Sequence, residues 1–519
     1  MKNAVNREIP EELLTDGREV YQGKFYLDSK VYQKAAPKAR PFVKPVDSKV
    51  VDSIKAACEA IGVRDGMTIS FHSELRNGDY VGNMVTKVLV EDLGVRDLTI
   101  AATSLGDAHD AIADYIEAGY VTGIQTSGIR GRIGDVVSAG KLKTPAIIRS
   151  HGGRPRAIEA GEVHIDIAFM AAASSDKQGN SKGTGGKTNF GSMGFGMTDP
   201  RYADHTVIIT DTLIEYPNVP CSVDAVDVDY VVLVDEIGDN TKIATKEARV
   251  TQDPRELMMA ENVANVIAST PYFKEGFSFQ TGAGGPSLAV NRFLEDRMLA
   301  SDIKMGFALG GVSKAICDLQ DKGLVGHIFD TQNFDLPAGQ HLEKHPNHHE
   351  ISISQYANPF NKGAFVNMLD FVVLSALEID TDFNVNVITG SDGVLRGAPG
   401  GHPDTAAGSK CCIIVTPLTR GRMATVCEKV VTVTTPGDCI DVLVTDYGIA
   451  VNPLRPDLME CLDNADIEHV SIESLKEKAY QMVGRPEDLQ WEENVVAVVE
   501  ARDGTILDVV RQVKPLVLD

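Results

Sequence analysis

The sequence predicts an α/β protein made of two similar open α/β/α domains, each built on a mainly parallel sheet. Short apolar strands alternate along the chain with helical patterns, which is the rhythm of βαβ units. Residues 97–124 form a strand, a helix and a glycine turn before a second strand, and this pattern returns at residues 302–328. At 519 residues the chain also exceeds one ordinary core, since roughly 100 to 200 residues form a domain.

The composition restricts the function. The chain has 50 Lys and Arg against 73 Asp and Glu, and this net charge of −23 disfavours nucleic acid and anionic membranes as partners. An anionic substrate would therefore need a locally basic pocket. The eight cysteines show no CxxC spacing, so we expect reduced thiols, no zinc and a cytoplasmic protein. The first residues lack an apolar signal region and no long apolar run follows, so we expect neither export nor membrane insertion.

Three regions follow one another along the chain. Residues 1–48 are polar and contain spaced prolines, which predicts an arm laid over the surface or over a partner. The first domain is predicted at 49–245 and opens with a helix that Ser48 would cap. The second domain is predicted at 253–519.

Corresponding loops of the two domains are expected to meet in a cleft. Residues 69–79 and 277–285 match as a strand followed by a loop, so both loops leave the carboxyl end of a strand. Ligands of open α/β sheets bind at these ends. The sequence therefore predicts an active site between the domains.

The glycine loop before residue 285 is the clearest candidate for holding a negative charge. An apolar strand runs into glycines, and helical spacing begins at Ser287. Glycine allows close approach of the backbone, so the N–H groups of Gly284 and Gly285 could face an anion or a developing oxyanion. A tight strand-to-helix turn is the alternative.

A second glycine-rich loop spans residues 182–188. It is not a P-loop, because Ser181 stands where that motif requires glycine. Its backbone donors and two lysines suit the phosphates of a nucleotide-like group, and an ordinary solvent loop is the alternative. The residues predicted to bind the arm of CoA or of an acyl carrier are Lys182, Gly185, Gly186 and Lys187.

Histidines cluster at residues 341–349. His341 and His345 are four residues apart, and His348 and His349 follow, but Pro346 prevents one helix from carrying them all. We therefore expect a structural or substrate-facing role and no bound metal.

Glycines are dense again between residues 390 and 408, which favours a pocket lined by backbone. Arg396 in this stretch is the obvious carboxylate clamp, because guanidinium can bind carboxylate through two parallel hydrogen bonds. A structural ion pair is the alternative for Arg396.

Several of these segments carry a resemblance. The glycine loop, residues 375–380, Gly400 to Asp404 and residues 444–450 resemble the acyl-CoA hydrolase and CoA-transferase superfamily. Closer similarity is to the citrate lyase α-subunit family, and it runs over residues 10–515. The segments that carry it are Ser70-Phe71-His72 with Arg76, Ser150 to Arg154, Tyr272 to Ser278, and Gly393 to Ala398 with Gly400-Gly401-His402.

The resemblance implies a transferase subunit of a cytoplasmic three-component complex. Such a subunit moves the acyl carrier thiol of acetyl-ACP, or of acetyl-CoA, to citrate and gives citryl thioester and acetate. The implied partners are an acyl carrier (gamma) subunit and a citryl-CoA lyase (beta) subunit, and a homo-oligomer is expected. No cofactor is expected to be bound permanently, because the CoA-like prosthetic group arrives as thioester substrate. Two other functions stay open: an acetyl-CoA hydrolase or transferase with a covalent glutamyl thioester, and a non-catalytic metabolite sensor.

The resemblance also implies roles for individual residues. A citrate site needs a cationic cluster in an acidic protein, and the candidates are Arg76, Arg154 and Arg396, with His72 and His402 beside them. The predicted oxyanion donors are the backbone groups at Gly284 and Gly285, with those at Gly400 and Gly401.

One residue of the superfamily pattern is missing. Members that form an enzyme-bound acyl group carry a glutamate at the end of the strand after the glycine loop, and position-by-position reading puts Gly306 there. We therefore expect a ternary complex and a mixed anhydride without an enzyme-bound acyl intermediate. Glu378 and Asp380 are the nearest substitute carboxylates.

Overall fold

The computed structural model describes residues 1–29, 33–35, 48–244, 251–282 and 284–514. Parts of the predicted arm, the junction between the predicted domains and one residue of the glycine loop lie outside the described residues.

The strands of the described chain belong mostly to two large sheets. In chain order they are β1 (Val50–Val51), β2 (Thr68–Ser70), β3 (Leu98–Ile100), β4 (Val121–Thr126), β5 (Ala146–Ile148), β6 (Ile167–Ala172), β7 (Ser174–Ser175), β8 (Ser181–Lys182), β9 (His205–Thr210), β10 (Tyr230–Leu233), β11 (Phe277–Thr281), β12 (Met305–Val312), β13 (Val325–Asn333), β14 (His348–Glu350), β15 (Phe371–Leu374), β16 (Glu378–Asp380), β17 (Val385–Asn386), β18 (Cys411–Val415), β19 (Thr419–Arg420), β20 (Met423–Ala424), β21 (Val426–Cys427), β22 (Val442–Thr445), β23 (Gly448–Val451), β24 (Trp491–Glu500) and β25 (Ile506–Val513).

The α-helices alternate with the long strands. In chain order they are α1 (Ile54–Ile61), α2 (Val81–Lys87), α3 (Ala111–Glu117), α4 (Gly131–Ser138), α5 (Gly153–Glu159), α6 (Asp199–Tyr202), α7 (Pro254–Ser269), α8 (Gly285–Ser301), α9 (Lys314–Asp321), α10 (Leu336–Lys344), α11 (Ile353–Ala357), α12 (His402–Gly408), α13 (Pro456–Asn464) and α14 (Ile472–Val483).

The two large sheets repeat one topology. The first has the order β1-β10-β9-β6-β2-β3-β4-β5-β24-β25, and the second has the order β14-β13-β12-β11-β15-β18-β22-β23. Read from β10 to β5 and from β22 to β14, the strands correspond one for one, and every pair within these runs is parallel. The predicted α/β class with two similar, mainly parallel domains is confirmed.

Each sheet is buried on both faces, as βαβ crossovers require. All residues of β6 and all residues of β18 are buried, and both strands are continuous apolar runs. Helices cover the two faces, and separate apolar cores form around each sheet. The strands are therefore fixed in position, and the loops at their carboxyl ends inherit that position.

The carboxyl-terminal residues do not stay with the second domain, where the prediction of 253–519 puts them. β24 pairs in parallel with β5 of the first sheet, with Ala497 opposite Ala146, and β25 folds back on β24. Without this hairpin β5 would be an open edge with unpaired backbone groups. Chain order could not indicate this pairing, because the hairpin follows the helices of the second domain.

The described part of the predicted arm lies on the same hairpin. Val20 forms a parallel bridge with Ile506, and the side-chain amide of Asn3 donates to the carbonyl of Leu507 over 2.7 Å. The described part of residues 1–48 therefore lies over the surface of its own chain. This is the first of the two predicted alternatives, the second being contact with a partner.

The start of the first domain differs from the prediction. Val50 and Val51 form the edge strand β1 instead of a first helical turn, and α1 is capped by Ser53, whose hydroxyl accepts from the amide of Ala56. Ser48 and Ser53 both suit a cap, and the pairing of β1 with β10 decides between them.

Among the described residues, no helix is long and apolar enough to cross a membrane.

Candidate active site

A cavity of about 600 Å³ lies where the carboxyl ends of the two sheets meet. Its walls come from both domains: the loops after β2, β3 and β4 form one side, and those after β11, β12, β13 and β15 form the other. The predicted cleft is therefore present at the strand ends, where open α/β sheets bind their ligands.

Most of the residues predicted to form the site lie in this wall. They are His72, Arg76, Gly284, Arg396, Gly400, Gly401 and His402. Arg154, Gly285 and the four residues of the 182–188 loop do not line the cavity.

Four arginines line the cavity of this acidic protein. Arg76 and Arg130 come from the first domain, and Arg396 and Arg420 come from the second. The guanidinium carbon of Arg76 lies 5.0 Å from the centre of the Phe334 ring, so this aromatic face supports the side chain. The cavity wall therefore carries a cationic cluster, as the sequence predicts. Arg130 and Arg420 belong to it although the sequence did not single them out, and Arg154 does not.

Arg396 has both of the roles weighed for it. It lines the cavity, and its Nη1 also lies 2.6 Å from Asp135 while its Nη2 lies 3.4 Å from Asp392. Its side chain is 44% exposed, so water screens these ion pairs. Arg420 is held more firmly, since its Nη2 donates to the carbonyl of Ala376 over 2.8 Å.

Arg154 is a positioning residue and does not contact the cavity. Its Nη1 and Nη2 bind the two oxygens of Asp199 over 2.7 and 2.6 Å, and Nη2 also donates to the carbonyl of Ala101. The Arg154 guanidinium and His72 hold the pKa of the Asp199 carboxyl well below its usual range, although burial alone would raise it. The prediction that Arg154 binds substrate is wrong because its fork is occupied within the protein.

His72 lies at the other end of this buried chain. Its Nε2 is 3.0 Å from Asp199, and its Nδ1 is hydrogen-bonded to the hydroxyl of Thr103. Burial lowers the pKa of His72, so the ring is neutral and donates to Asp199 while it accepts from Thr103. Both nitrogens are occupied, and His72 therefore shapes the wall instead of supplying the predicted hydrogen bond.

Glu74 is a titratable group of the wall that the sequence left without a role. It is 3% exposed, lines the cavity, and has no hydrogen-bond partner on either carboxyl oxygen among the described residues. Burial raises the pKa of Glu74 well above its usual range, and the nearby carboxylates of Asp79 and Glu350 raise it further. Burial and these carboxylates therefore favour the protonated, uncharged form of the side chain.

The glycine loop brings the start of a long helix to the cavity. Gly284 caps α8, and the first intrahelical bond runs from the amide of Leu288 to the carbonyl of Gly284. The amides before Leu288 precede the helical ladder, and the positive end of the helix dipole adds to them. A Cβ added at Gly284 would lie 2.6 Å from the hydroxyl oxygen of Ser375, so a side chain here would displace that hydroxyl from its contact with Ser287. Gly285 starts the helix one residue behind the wall.

Gly400 and Gly401 also line the cavity and are tightly packed. Gly400 has φ of +53°, and its carbonyl accepts from the amide of His151 over 2.8 Å. A Cβ at Gly401 would lie 2.5 Å from the hydroxyl of Tyr356. These contacts explain the two glycines as parts of the wall, and their predicted role as oxyanion donors stays a prediction.

His402 has a structural role in place of the predicted substrate contact. Its Nδ1 is 2.7 Å from the hydroxyl of Thr435, and its Nε2 is 3.0 Å from the carbonyl of Ser375. Burial lowers the pKa of His402 to about 4, so the neutral ring donates to Ser375 and accepts from Thr435. His402 thereby fixes the strand end that faces Gly284.

The loop at 182–188 lies outside the cavity wall, and its glycines have a packing explanation. A Cβ at Gly186 would lie 1.6 Å from the carbonyl oxygen of Ala173, and Gly185 has φ of +77°. Lys187 donates its ammonium group to the carbonyl of Asp235. The proposed binding of the carrier arm by Lys182 and its neighbours is not needed to explain the loop and stays a prediction.

The carboxyl end of β12, the strand after the glycine loop, bears no carboxylate. The sequence reading placed Gly306 at this end, but other residues occupy it. Gly306 lies at the amino end of β12, where a Cβ would meet the carbonyl of Gly276 at 2.5 Å, so the position-by-position reading was wrong. The carboxyl end of β12 carries Gly310 and Gly311, and Gly311 lines the cavity.

The two substitute carboxylates also have other functions. Glu378 accepts from the side-chain amide of Asn386 over 2.8 Å, and Asp380 accepts from the backbone amide of Asn384 over 2.9 Å. Neither lines the cavity. The carboxyl groups in its described wall are those of Glu74 and Asp107.

Sequence reasoning missed Glu74, Arg130, His151 and Arg420, all of which line the cavity. Glu74 lies midway between His72 and Arg76, so the alternation of that loop could have indicated it. Arg130 lies in the loop after β4 and Arg420 ends the short strand β19, in segments that the motifs did not single out. Burial lowers the pKa of His151 to about 3, and its Nδ1 has no partner within the described residues.

The fold and the cavity define the class of protein: a two-domain α/β protein with a ligand-sized cavity where the carboxyl ends of its two sheets meet. A chain of a Pseudomonas malonate decarboxylase hetero-tetramer is similar in fold, with a TM-score of 0.63 at 16% identity over 84% of this chain and 86% of that one.

Closer comparisons identify the family. Residues 47–513 match the family described as citrate lyase, alpha subunit. The citrate lyase alpha chain of Escherichia coli K12 is 49% identical over 487 residues, which cover 94% of this chain and 95% of that protein. The structure of a citrate lyase α subunit from Streptococcus mutans in complex with citrate has a TM-score of 0.95 at 49% identity, over 99% of this chain and 100% of that one. The chain belongs to the citrate lyase α-subunit family, as its sequence motifs indicated.

Proposed function

We propose that this chain transfers the acyl carrier thiol of acetyl-ACP, or of acetyl-CoA, to citrate and releases acetate, as the transferase subunit of a citrate lyase. The observation that carries the proposal is the cavity with four arginines and the start of α8 in a chain of net charge −23. Citrate is a trianion near neutral pH, and guanidinium groups from two sides suit its separated carboxylates. The relative from S. mutans was crystallised with citrate, which supports this choice of substrate.

The reaction we propose has two acyl exchanges. A citrate carboxylate oxygen attacks the acetyl thioester carbonyl, and the tetrahedral oxyanion collapses by breaking the carbon–sulfur bond. This leaves a citric–acetic anhydride and a carrier thiolate. The thiolate then attacks the citryl carbonyl of the anhydride, and acetate departs. Atoms and charge balance without an added oxidant, metal or water.

The residues of the cavity can serve these steps by binding and by stabilising charge. Arg76 and Arg420 would hold citrate, with Arg130 and Arg396 nearer to solvent. The amides that begin α8, at and after Gly284, would bind each oxyanion in turn, because they precede the helical ladder and need no reorganisation. Holding both acyl groups in one complex can by itself contribute ~7 to 11 kcal/mol to the rate.

We further propose that no acyl group is bound to the enzyme. The support is that the end of β12 carries glycines and that Glu378 and Asp380 are bonded elsewhere. The competing covalent mechanism would have to use Glu74 or Asp107, the carboxyl groups of the described wall. Glu74→Gln and Asp107→Asn together separate the two mechanisms, because each amide fills the same space and cannot form an acyl-enzyme thioester.

The test is to incubate the purified chain with acetyl-CoA and citrate and to follow citryl-CoA by mass spectrometry. Citryl-CoA formation that needs both substrates supports the transfer, whereas binding without turnover would favour a sensor. Hydroxylamine added with acetyl-CoA alone should leave the chain unmodified, and Glu74→Gln and Asp107→Asn should each keep most of the kcat. A mass shift on either residue, or loss of all activity in either variant, would establish the covalent mechanism instead.

We propose an acyl carrier subunit and a citryl-CoA lyase subunit as partners, because the family is that of a lyase subunit. Light scattering of the chain alone, and after addition of each candidate subunit, measures both self-association and complex formation. A mass that stays unchanged on addition would argue against that partner.

A further inference from the structure

Three side chains that bind soft metals converge at the edge of the second sheet. Cys317 on α9, His341 on α10 and His348 at the start of β14 each offer one ligand atom, and these atoms lie within 4.8 Å of one another. Cys317 and His348 are buried, and His341 is partly exposed. The cluster is separate from the cavity, because none of the three residues lines it.

The turn at Pro346 builds this cluster. α10 ends at Lys344, the chain reverses, and β14 begins at His348, which brings two histidines of one short segment face to face. The Nδ1 atoms of His341 and His348 lie 2.9 Å apart. Proline excludes a site along one continuous helix, but it permits one across the turn.

The outer nitrogens of both rings face carboxylates. The Nε2 of His348 lies 3.0 Å from Asp330, and the Nε2 of His341 lies 3.3 Å from Asp321. Since carboxylates accept, each Nε2 carries its hydrogen, and each Nδ1 faces the other ring. The 2.9 Å contact between the two Nδ1 atoms is a hydrogen bond in the metal-free chain, and a metal bound to both Nδ1 atoms would take the place of the shared proton.

A metal needs only a small adjustment, because Zn–N bonds of about 2.0 to 2.1 Å in a tetrahedral site separate the nitrogens by roughly 3.4 Å. The partly exposed ring of His341 can turn to give this separation.

The electrostatic field at Cys317 favours a dication over a bare thiolate. Burial raises the pKa of the Cys317 thiol, and the carboxylates of Asp330, Asp335, Asp318 and Asp321 raise it further. The same carboxylates attract a divalent cation, which can displace the thiol proton and neutralise the thiolate.

We propose that Cys317, His341 and His348 bind one divalent transition metal of the Zn²⁺ class, with water as the fourth ligand and Asp321 and Asp330 orienting the two rings. Binding forms one metal–thiolate and two metal–imidazole bonds, and the thiol proton and the proton shared by the two imidazoles go to solvent. The metal ties α9 and α10 to the edge strand β14. It thereby stiffens β13, in which Thr331 and Gln332 follow Asp330 and line the cavity.

The experiment titrates the full chain, freed of metal by a chelator and dialysed, with Co²⁺. We expect one Co²⁺ per chain, a thiolate-to-cobalt charge-transfer band, visible bands of tetrahedral intensity, and release of these protons on binding. Zn²⁺ should displace the Co²⁺ and raise the Tm. These readouts do not depend on the transferase activity, so the result is independent of the proposed function.

Matched variants show which residues give rise to the Co²⁺ signals. Cys317→Ser should abolish the charge-transfer band and reduce the proton release. Asp321→Asn should weaken Co²⁺ binding by about 10- to 100-fold, because outer partners of metal-bound histidine have effects of this size. Glu343→Gln is the control on the helix that carries His341, since Glu343 is exposed, accepts from Asn189 and is bonded to neither histidine.

Absence of the charge-transfer band in the folded wild-type chain would overturn the proposal. Equal Co²⁺ affinity in Asp321→Asn and Glu343→Gln, or a band that persists in Cys317→Ser, would do the same.

Discussion

The ends of β2 and β11 occupy equivalent places in the two sheets, but they present different chemistry to the cavity. After β2 the wall carries side chains that can hold or exchange charge, among them Glu74 and Arg76. After β11 it carries Gly282 and Gly284 and then the start of α8. The duplicated fold therefore supplies side-chain recognition from one copy and backbone donors from the other.

This difference indicates which property of each copy is constrained. The loop after β11 is constrained by space, because a side chain at Gly284 would strike Ser375. The loop after β2 is constrained by charge, because it places the buried carboxyl group of Glu74 and the guanidinium of Arg76 in the same cavity wall. Substitutions in the loop after β11 should act on turnover. Substitutions in the loop after β2 should act on substrate binding and on pH dependence.

The largest effect is expected for Gly284→Val. The new side chain would displace the start of α8 from the oxyanion, and loss of one such donor lowers kcat by on the order of 10² to 10³, about 2.7 to 4 kcal/mol. Steady-state kinetics with acetyl-CoA and citrate measures this, with Gly363→Val as the control, since a Cβ there meets nothing within 4 Å. Normal turnover by folded Gly284→Val would mean that the loop is only a turn.

A smaller effect, on substrate binding, is expected for Arg76→Lys. Lysine keeps the charge but loses the fork and the contact with Phe334, and a hydrogen bond to a charged group contributes about 1.5 to 3 kcal/mol. We expect the KM for citrate to rise on the order of 10- to 100-fold while the KM for acetyl-CoA stays unchanged. An equal rise in both constants would indicate a general disturbance of the wall.

Arg396→Lys should change the same constant less. The Arg396 side chain is 44% exposed and already paired with Asp135 and Asp392, so solvent screens its contribution. We expect a rise of a few-fold in the citrate KM, which reverses the order suggested by the sequence. A rise larger than that of Arg76→Lys would make Arg396 the principal clamp.

The sequence could predict the fold because its evidence is local and repeated. Alternating apolar strands and the match of residues 97–124 with 302–328 determine both sheets, since each strand pairs within its own copy. The position of the β24–β25 hairpin was not predicted, because β24 pairs with β5, which is far away in the sequence. Its partner is fixed by an open sheet edge, which has no signature in the hairpin itself.

The sequence could predict a site residue only where its role can be read from the local motif, without knowledge of distant partners. The strand-to-helix glycines at Gly284 and the arginine at position 76 were found because motif and position agree. Arg154 was misassigned because its type matches a carboxylate clamp, but its actual partner, Asp199, is 45 residues away. Glu74 was missed because a carboxyl group in an anion pocket makes chemical sense only once its burial is known.

The last prediction concerns stability instead of activity, and it is a change in the pH dependence of stability in Glu74→Gln. The folded pKa of Glu74 is raised above its unfolded value, which is about 4.3. Below that pH both states are protonated and the group costs nothing. As pH rises further, the unfolded chain ionises while the folded chain keeps its proton, so the free energy of unfolding falls until the folded pKa is reached. Glutamine fills the same space and does not titrate, so this fall should disappear in Glu74→Gln. Urea unfolding at a series of pH values measures it, with Glu12→Gln as a control at an exposed position. Parallel curves for wild type and Glu74→Gln would mean that Glu74 titrates normally and that the loop after β2 is not constrained by charge.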